Sequence, residues 1–330
     1  MKKVSIWLLN SFGRGIGKIL HKLLKYDLLT RYYNNIFEQS PRLLIKGFVK
    51  YLGLPNRDII WTIRLKNGKK VNTKVYCSNA KTGQFALSYQ WHSPSLNFTE
   101  KLLNDHAAKA QAWIDVGANL GIRSLLALSE QRPVYMLEPN KELNELNRER
   151  CALNGFKNFE IIETGVSDKK GVAEFYIDES SYNSSLNASI LETNVLNRKE
   201  TIPLDSLDNF FVDLTHAPAC IKIDVEGHEI QVIEGAKKLI AQYHPPMIVE
   251  VNTNSNNYNA FKAQMKQFGY VLFQIHSYEP DVYFDRIDMN KSASDDKIQS
   301  NDFLAVRDEA LEKKVAEFCK KSYLYPAIHA

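Results

Sequence analysis

Three stretches hold residues whose types and spacing suit chemistry. The first, Trp113-Ile114-Asp115-Val116-Gly117-Ala118-Asn119-Leu120-Gly121, is an apolar run that ends in two glycines four residues apart. Glycines after a buried strand let a ligand approach the backbone where the next helix begins. The second, Met136-Leu137-Glu138-Pro139, sets a carboxylate seventeen residues past Gly121, where a ribose diol would lie in a β-α-β unit. Each feature alone is weak, because glycine turns are common and a strand can end in Glu by chance. Together they describe a nucleoside site.

The third stretch is Cys220-Ile221-Lys222-Ile223-Asp224-Val225-Glu226-Gly227-His228-Glu229, an apolar strand followed by a cluster of acids and one imidazole. Such a grouping supplies a general base within reach of a hydroxyl. Asp224, Glu226 and His228 are the catalytic candidates. An unperturbed His titrates near neutral pH, which suits His228, against the plain alternative of a structural hydrogen bond. Glu229 reads as a helix cap and dipole partner.

The kind of nucleoside follows from the glycine count. A nicotinamide or flavin fingerprint needs two further glycines, and Asn119 and Ile122 occupy those positions. The turn therefore suits a ligand without a pyrophosphate, such as S-adenosylmethionine. On this reading Gly117→Val should abolish cofactor binding and leave the fold intact, because the new side chain would fill the ligand's space.

The elements that position these residues alternate. Strands are expected at 112–116, 133–138, 159–164, 219–224 and 246–251, with helices at 121–130, 140–154 and 228–242 between them. Residues 171–210 interrupt this order with short strands at 172–177 and 200–204, a polar stretch 178–187 and a short helix at 205–211. A helix near 256–268, a strand 270–276, a polar segment 285–300 and a last strand 303–306 follow. A doubly wound α/β sheet of seven mostly parallel strands, with helices on both faces and an antiparallel edge, fits this order.

Upstream, a helix is expected at 98–110. Ile59 to Cys77 alternates apolar and polar residues around Lys66-Asn67-Gly68-Lys69, the pattern of a β-hairpin with an Asn-Gly turn. The expected organisation is an N-terminal helical and hairpin extension over 1–94, a catalytic domain over 95–310, and a C-terminal helix and tail over 311–330.

From Ala112 to Val251 the chain resembles the FkbM-type S-adenosylmethionine-dependent methyltransferases. The resemblance rests on Asp115 to Gly121, Glu138-Pro139, Val166-Ser167-Asp168, Pro203-Leu204-Asp205-Ser206-Leu207, Lys222 to Gly227 and Glu234-Gly235-Ala236. It implies a Rossmann-like class I methyltransferase with S-adenosyl-L-methionine as cofactor. Asp115, Gly117, Asn119 and Gly121 would wrap the methionine portion, Glu138 would bind the ribose hydroxyls, the loop ending in Asp168 would border the adenine, and Asp224 would border the sulfonium. O-methylation of a sugar hydroxyl on a surface polysaccharide or glycolipid is the expected activity. A nicotinamide-dependent oxidoreductase and a methyltransferase for RNA or another small molecule are the alternatives.

Composition bounds the partners. The 330 residues are 44% hydrophobic and 24% charged, with a net charge of +4, enough to bury a sizeable core. Four cysteines lie far apart, which argues against a disulfide framework or a zinc site. No metal is assigned, with Mg²⁺ held by Asp224, Glu250 and Asp205 as the open alternative, and a cytoplasmic location is expected. Residues 1–50 hold ten Lys and Arg against Asp27 and Glu38, so the other 280 carry a net −4. Within that basic segment Ile16, Ile19, Leu20, Leu23, Leu24 and Leu28 recur at helical spacing with Lys18, Lys22 and Lys25 between them. Packing on the rest of the protein is the simpler role for this helix, and peripheral contact with the inner membrane surface or an acidic glycan is the other. Nucleic acid is disfavoured, because the positive charge is modest and mixed with apolar residues.

Overall fold

The computed structural model describes residues 59–75, 94–177, 186, 198–214, 216–252, 255–276 and 283–319. The expected N-terminal amphipathic helix and the polar insert 178–187, apart from Leu186, lie outside the described residues, as do residues 277–282. The chain divides into two compact units, residues 1–92 and 93–330.

In the first unit the expected hairpin forms from β1 (Ile59–Arg64) and β2 (Lys70–Val75), paired antiparallel from Ile59 opposite Val75 to Arg64 opposite Lys70. Gly68 donates its N–H to the Leu65 carbonyl at 2.9 Å and sits at φ +80°. The connection is therefore a three-residue loop whose last residue is left-handed, a conformation open to glycine.

The second unit opens with α1 (Pro94–His106), which starts four residues earlier than its periodicity suggested. Proline at a first helical position costs no hydrogen bond and presets φ. Then come β3 (Trp113–Val116), α2 (Leu125–Ser129), β4 (Val134–Leu137), α3 (Lys141–Leu153), β5 (Phe159–Ile162), β6 (Gly165–Val166), β7 (Gly171–Ile177), β8 (Arg198–Asp205) and α4 (Leu207–Phe210). The remainder is β9 (Cys220–Ile223), α5 (Glu229–Glu234), α6 (Lys237–Tyr243), β10 (Met247–Glu250), α7 (Ser255–Gln267), β11 (Val271–His276), β12 (Tyr283–Arg286), β13 (Asp302–Val306) and α8 (Glu309–Cys319).

The main sheet runs β12-β11-β13-β10-β9-β3-β4-β5. From β10 through β5 every pairing is parallel, while β13 is antiparallel to both β10 and β11. Chain order reverses between β3 and β9, and the groove at a switch point beyond the carboxyl ends of such strands is where doubly wound folds bind ligands. The doubly wound class is as expected, with two corrections. The sheet has eight strands rather than seven, and the last strand β13, antiparallel to its neighbours, lies inside the sheet, the antiparallel edge being formed by β12. The eighth strand, β12, is the outermost and pairs with β11. Its four residues Tyr-Phe-Asp-Arg are too short and too polar to stand out in a polar segment.

The core is built from residues such as Ile114, Val116, Ile221, Ile223, Val249 and Phe303, all fully or nearly fully buried. Strands covered on both faces read as continuous apolar runs, which is why β3, β9 and β10 are legible. A second, three-stranded sheet joins β6 to the β7 and β8 of the interruption and has its own small core of Phe175, Ile177 and Ile202. The helix expected at 228–242 is two helices, α5 and α6, broken at Gly235-Ala236. A Cβ on Gly235 would lie 2.0 Å from the Ser167 carbonyl oxygen, so the chain after β6 packs directly on the break. Among the described residues, no helix is long and apolar enough to cross a membrane.

Candidate active site

At the end of β3 the backbone turns through three left-handed residues, Gly117 (φ +71°), Asn119 (φ +51°) and Gly121 (φ +60°). Glycine enters that region freely and asparagine enters it more readily than most residues, so Asn119 is compatible with the middle position of the turn. The N–H groups of Gly117 and Ala118 both donate to the Leu137 carbonyl, at 3.0 and 3.2 Å, which locks the turn to the end of β4.

A Cβ on Gly117 would stand 1.9 Å from the Asp224 carbonyl oxygen. One on Gly121 would stand 2.6 Å from Asn147 Oδ1. Both glycines are therefore required by the protein's own packing. This corrects the expectation for Gly117→Val: the added side chain strikes the backbone after β9 and compromises the fold itself.

Asp115 is completely buried in β3, where its Oδ2 accepts the Ser124 hydroxyl at 2.7 Å. Glu138, 5% exposed, accepts the Asn119 N–H on Oε2 and the Asn140 N–H on Oε1, both at 2.9 Å. Burial pushes its carboxyl up to about 7, against the pull of those two N–H groups. Asn140 in turn caps α3 by accepting the Glu142 N–H at 3.0 Å. Each Glu138 oxygen uses one acceptor direction on backbone and keeps another for a ligand hydroxyl. The glycine turn and the ribose candidate thus form one bonded unit.

Across the switch point Lys222, 7% exposed, projects from β9. Its Nζ lies 2.9 Å from Asp224 Oδ2, 3.6 Å from Asp115 Oδ1 and 3.4 Å from the Gly117 carbonyl oxygen. Burial disfavours the ammonium, but Asp224 and Asp115 outweigh it and raise its pKa. No role for Lys222 was read from the sequence, although a lysine inside the apolar run Cys220–Ile223 is itself a signal of a buried partner.

Asp224 follows β9 and donates its N–H to the Val116 carbonyl at 3.1 Å. Glu226 occupies the left-handed region at φ +52°, followed by Gly227 at φ +96°. Burial, then Asp224 and Glu229, push the Glu226 carboxyl up to about 7. Glu229 accepts the Gly227 N–H at 2.7 Å and so closes this turn, in keeping with its reading as a cap. His228 is drawn elsewhere. Its Nε2 lies 2.9 Å from the Ser167 hydroxyl, which also donates to Asp168 Oδ1 at 3.1 Å. Burial lowers the His228 pKa while Asp168 opposes that shift. The structure thus brings His228 to the Ser167-Asp168 turn after β6, away from Asp224 and Glu226.

Two further acids join Asp224. The β9 and β10 registers make Glu250 its lateral neighbour, and Asp302 lies directly opposite Glu250 across the antiparallel β10-β13 pair. Like charges facing across strands are costly, so the row must share protons or bind something positive. Asp224 first, then burial and Asp302, drive the Glu250 carboxyl up to about 9. Burial pushes Asp302 up to about 6, with Arg123 opposing. No sequence pattern marks Asp302, because only the inward placement of β13 brings it here. Asp205, part of the motif set, accepts the Ser206 N–H at 2.8 Å and Asn209 Nδ2 at 2.7 Å beside α4. Among the described residues, no group of three or more His, Cys, Asp or Glu is arranged to hold a metal ion.

Residues 115–272 match the model of the methyltransferase FkbM domain. The chain carries an FkbM domain. The match runs beyond Val251, through α7 and into β11. This is a domain of S-adenosylmethionine-dependent methyltransferases, and the nicotinamide alternative falls away. Among curated proteins none matches this chain.

Similar solved structures include the methyltransferase FkbM of Methylobacillus flagellatus, at 15% identity over 60% of this chain and 44% of that one, with a TM-score of 0.39. The chain thus spans less than half the length of that protein. A SAM-dependent methyltransferase of Agrobacterium tumefaciens is 9% identical over 74% of this chain and 69% of its own, with a TM-score of 0.37. The magnesium protoporphyrin IX methyltransferase of Synechocystis, with bound SAM, is 10% identical over 69% of this chain and 84% of its own, with a TM-score of 0.36.

The FkbM domain's own residues fit S-adenosylmethionine. Glu138 is held by backbone N–H groups with acceptor capacity left over, and the turn at Gly117 to Gly121 stands beside it.

Proposed function

We propose that this FkbM-domain chain is an O-methyltransferase acting on a sugar hydroxyl of a surface polysaccharide or glycolipid, with Glu226 as general base. The observation that carries the base assignment is the Glu226 carboxyl on its left-handed turn, shifted up to about 7 beside Asp224. A base titrating near the working pH combines adequate deprotonation with adequate proton affinity. Asp224 and His228 remain its companions: Asp224 is bound to Lys222, and His228 braces the Ser167-Asp168 turn.

S-adenosylmethionine supplies an electrophilic methyl group on a sulfonium. The chain's part is to align an acceptor hydroxyl with it and to remove the hydroxyl proton. Glu226 takes that proton as the oxygen–methyl bond forms, leaving an ether and a neutral thioether. Several carboxylate oxygens in one place suit an acceptor with several hydroxyl donors, as a sugar has. Contact of the N-terminal basic segment with a membrane surface belongs to the same proposal, since it would bring the site to a lipid-linked glycan.

The test is incubation of the full chain with S-adenosylmethionine and isolated cell-surface glycans, followed by mass spectrometry. A one-methyl increment on a sugar hydroxyl is the expected result. Methylation confined to RNA or to non-sugar acceptors would overturn the substrate class.

A further inference from the structure

Helix α1 precedes the matched domain and carries a carboxylate that the local structure leaves half used. Glu100 is 2% exposed. Its Oε1 accepts Arg123 Nη1 at 3.2 Å, and Arg123 also donates to Asn97 Oδ1 at 2.8 Å. Its Oε2 is buried and accepts no hydrogen bond. A buried carboxylate oxygen without a donor is costly, and the Arg123 pair engages only the other oxygen. Arg123 sits two residues past Gly121, so the pair ties α1 to the glycine turn.

The charged groups that bear on Glu100 are Arg123 from the turn before α2, Asp115 from β3 and Lys222 from β9, with the Cys220 thiol also near. Asp115 and Arg123 flank the glycine turn and Lys222 bonds to its Gly117 carbonyl, the end of the site where the methionine portion is expected, while Cys220 lies at the buried start of β9. Burial, the largest influence, holds the Glu100 carboxyl up at about 7. The group is poised to ionise when a cation arrives.

We propose that Glu100 is a cofactor-binding residue whose unused oxygen receives the ammonium of the cofactor's amino-acid end, and that Arg123 is the positioning residue that fixes it. The assignment rests on the cofactor reading and adds a residue from outside the FkbM match.

Calorimetry on the full chain separates the possibilities with two ligands: S-adenosylhomocysteine, which has the amino-acid end, and 5′-methylthioadenosine, which lacks it. Glu100→Gln should weaken the first about ten-fold to a hundred-fold, the range of one charge-assisted hydrogen bond, and leave the second unchanged. Equal weakening of both, or no weakening of the first, would overturn the assignment while leaving the cofactor reading intact. Failure of the wild-type chain to bind either ligand would overturn both.

A second measurement needs no variant. At pH 7, in buffers of different ionisation enthalpy, binding of S-adenosylhomocysteine to the wild-type chain should release more protons than binding of 5′-methylthioadenosine. Equal proton release for the two ligands would also overturn the assignment.

Discussion

The two sides of the switch point handle buried carboxylates differently. On the β3-β4 side each oxygen of Glu138 meets a backbone N–H, so the charge is solvated by groups fixed in the fold. On the β9-β10-β13 side Asp224, Glu250 and Asp302 stand beside one another, and Lys222 is the cation bonded into the row. The first arrangement is preorganised to hold a ligand at little reorganisation cost. The second crowds like charges, and the Glu250 carboxyl is driven up to about 9 by Asp224 first, then by burial and Asp302. On the proposed function one side binds and the other reacts, and substitutions on each should then fail in different ways.

The largest effect is expected where the two sides touch. Gly117→Val would force a side chain into the Asp224 carbonyl at a residue already at φ +71°. The variant should yield little folded protein, with loss of a cooperative melting transition by circular dichroism. A well-folded variant lacking only cofactor affinity would show that Gly117 faces ligand rather than backbone. Next comes Lys222→Met, which leaves Asp115 and Asp224 without their shared cation. Removing one member of a buried ion pair costs about 3–5 kcal/mol, readable as a lowered urea midpoint. Lys222→Arg should recover part of that loss.

These two residues also show what the amino-acid sequence could reveal. The turn at Gly117 was legible as a turn, and so was its place after a buried strand, because both are local properties. Its reason was not legible. The atom that excludes a side chain there belongs to Asp224, more than a hundred residues away in the chain. The apolar runs of β3, β4, β9 and β10 disclosed the parallel sheet, whereas β12 and the inward position of β13 follow from tertiary pairing and left no periodic trace. Asp224 and Glu226 could be singled out because they close an apolar strand. Asp302 and Glu100 lie outside any motif and reach the site only through the path of β13 and the docking of α1.

A smaller effect separates binding from reaction. Glu226→Gln should lower kcat about a hundred-fold, within the range for loss of a general base, while cofactor affinity measured by calorimetry stays near the wild-type value. The wild-type kcat should rise with pH through about 7, because the carboxyl must be ionised to take the proton. Loss of that limb in the variant would assign it to Glu226. An unchanged limb would transfer the role to another group in the row.

The smallest expected effect concerns stability. Glu100, Glu138 and Glu226 each have a carboxyl held at about 7 in the folded chain, against an ordinary value of 4.5, and Glu250 is held at about 9. Between 4.5 and those values the folded state binds more protons than the unfolded state. Stability therefore falls as pH rises through that window. The contribution is complete below 4.5 and is lost as pH passes 7, with the Glu250 share persisting toward 9. The melting temperature should be higher at pH 5.5 than at pH 8.5 by at least about 4 °C, the order of shift produced by one or two kcal/mol in a domain of this size. A ligand should reduce the difference if its positive charge lets Glu100 ionise at lower cost. S-adenosylhomocysteine should then flatten the pH dependence more than 5′-methylthioadenosine does. Equal flattening by the two ligands would place the cause in the nucleoside end and Glu138.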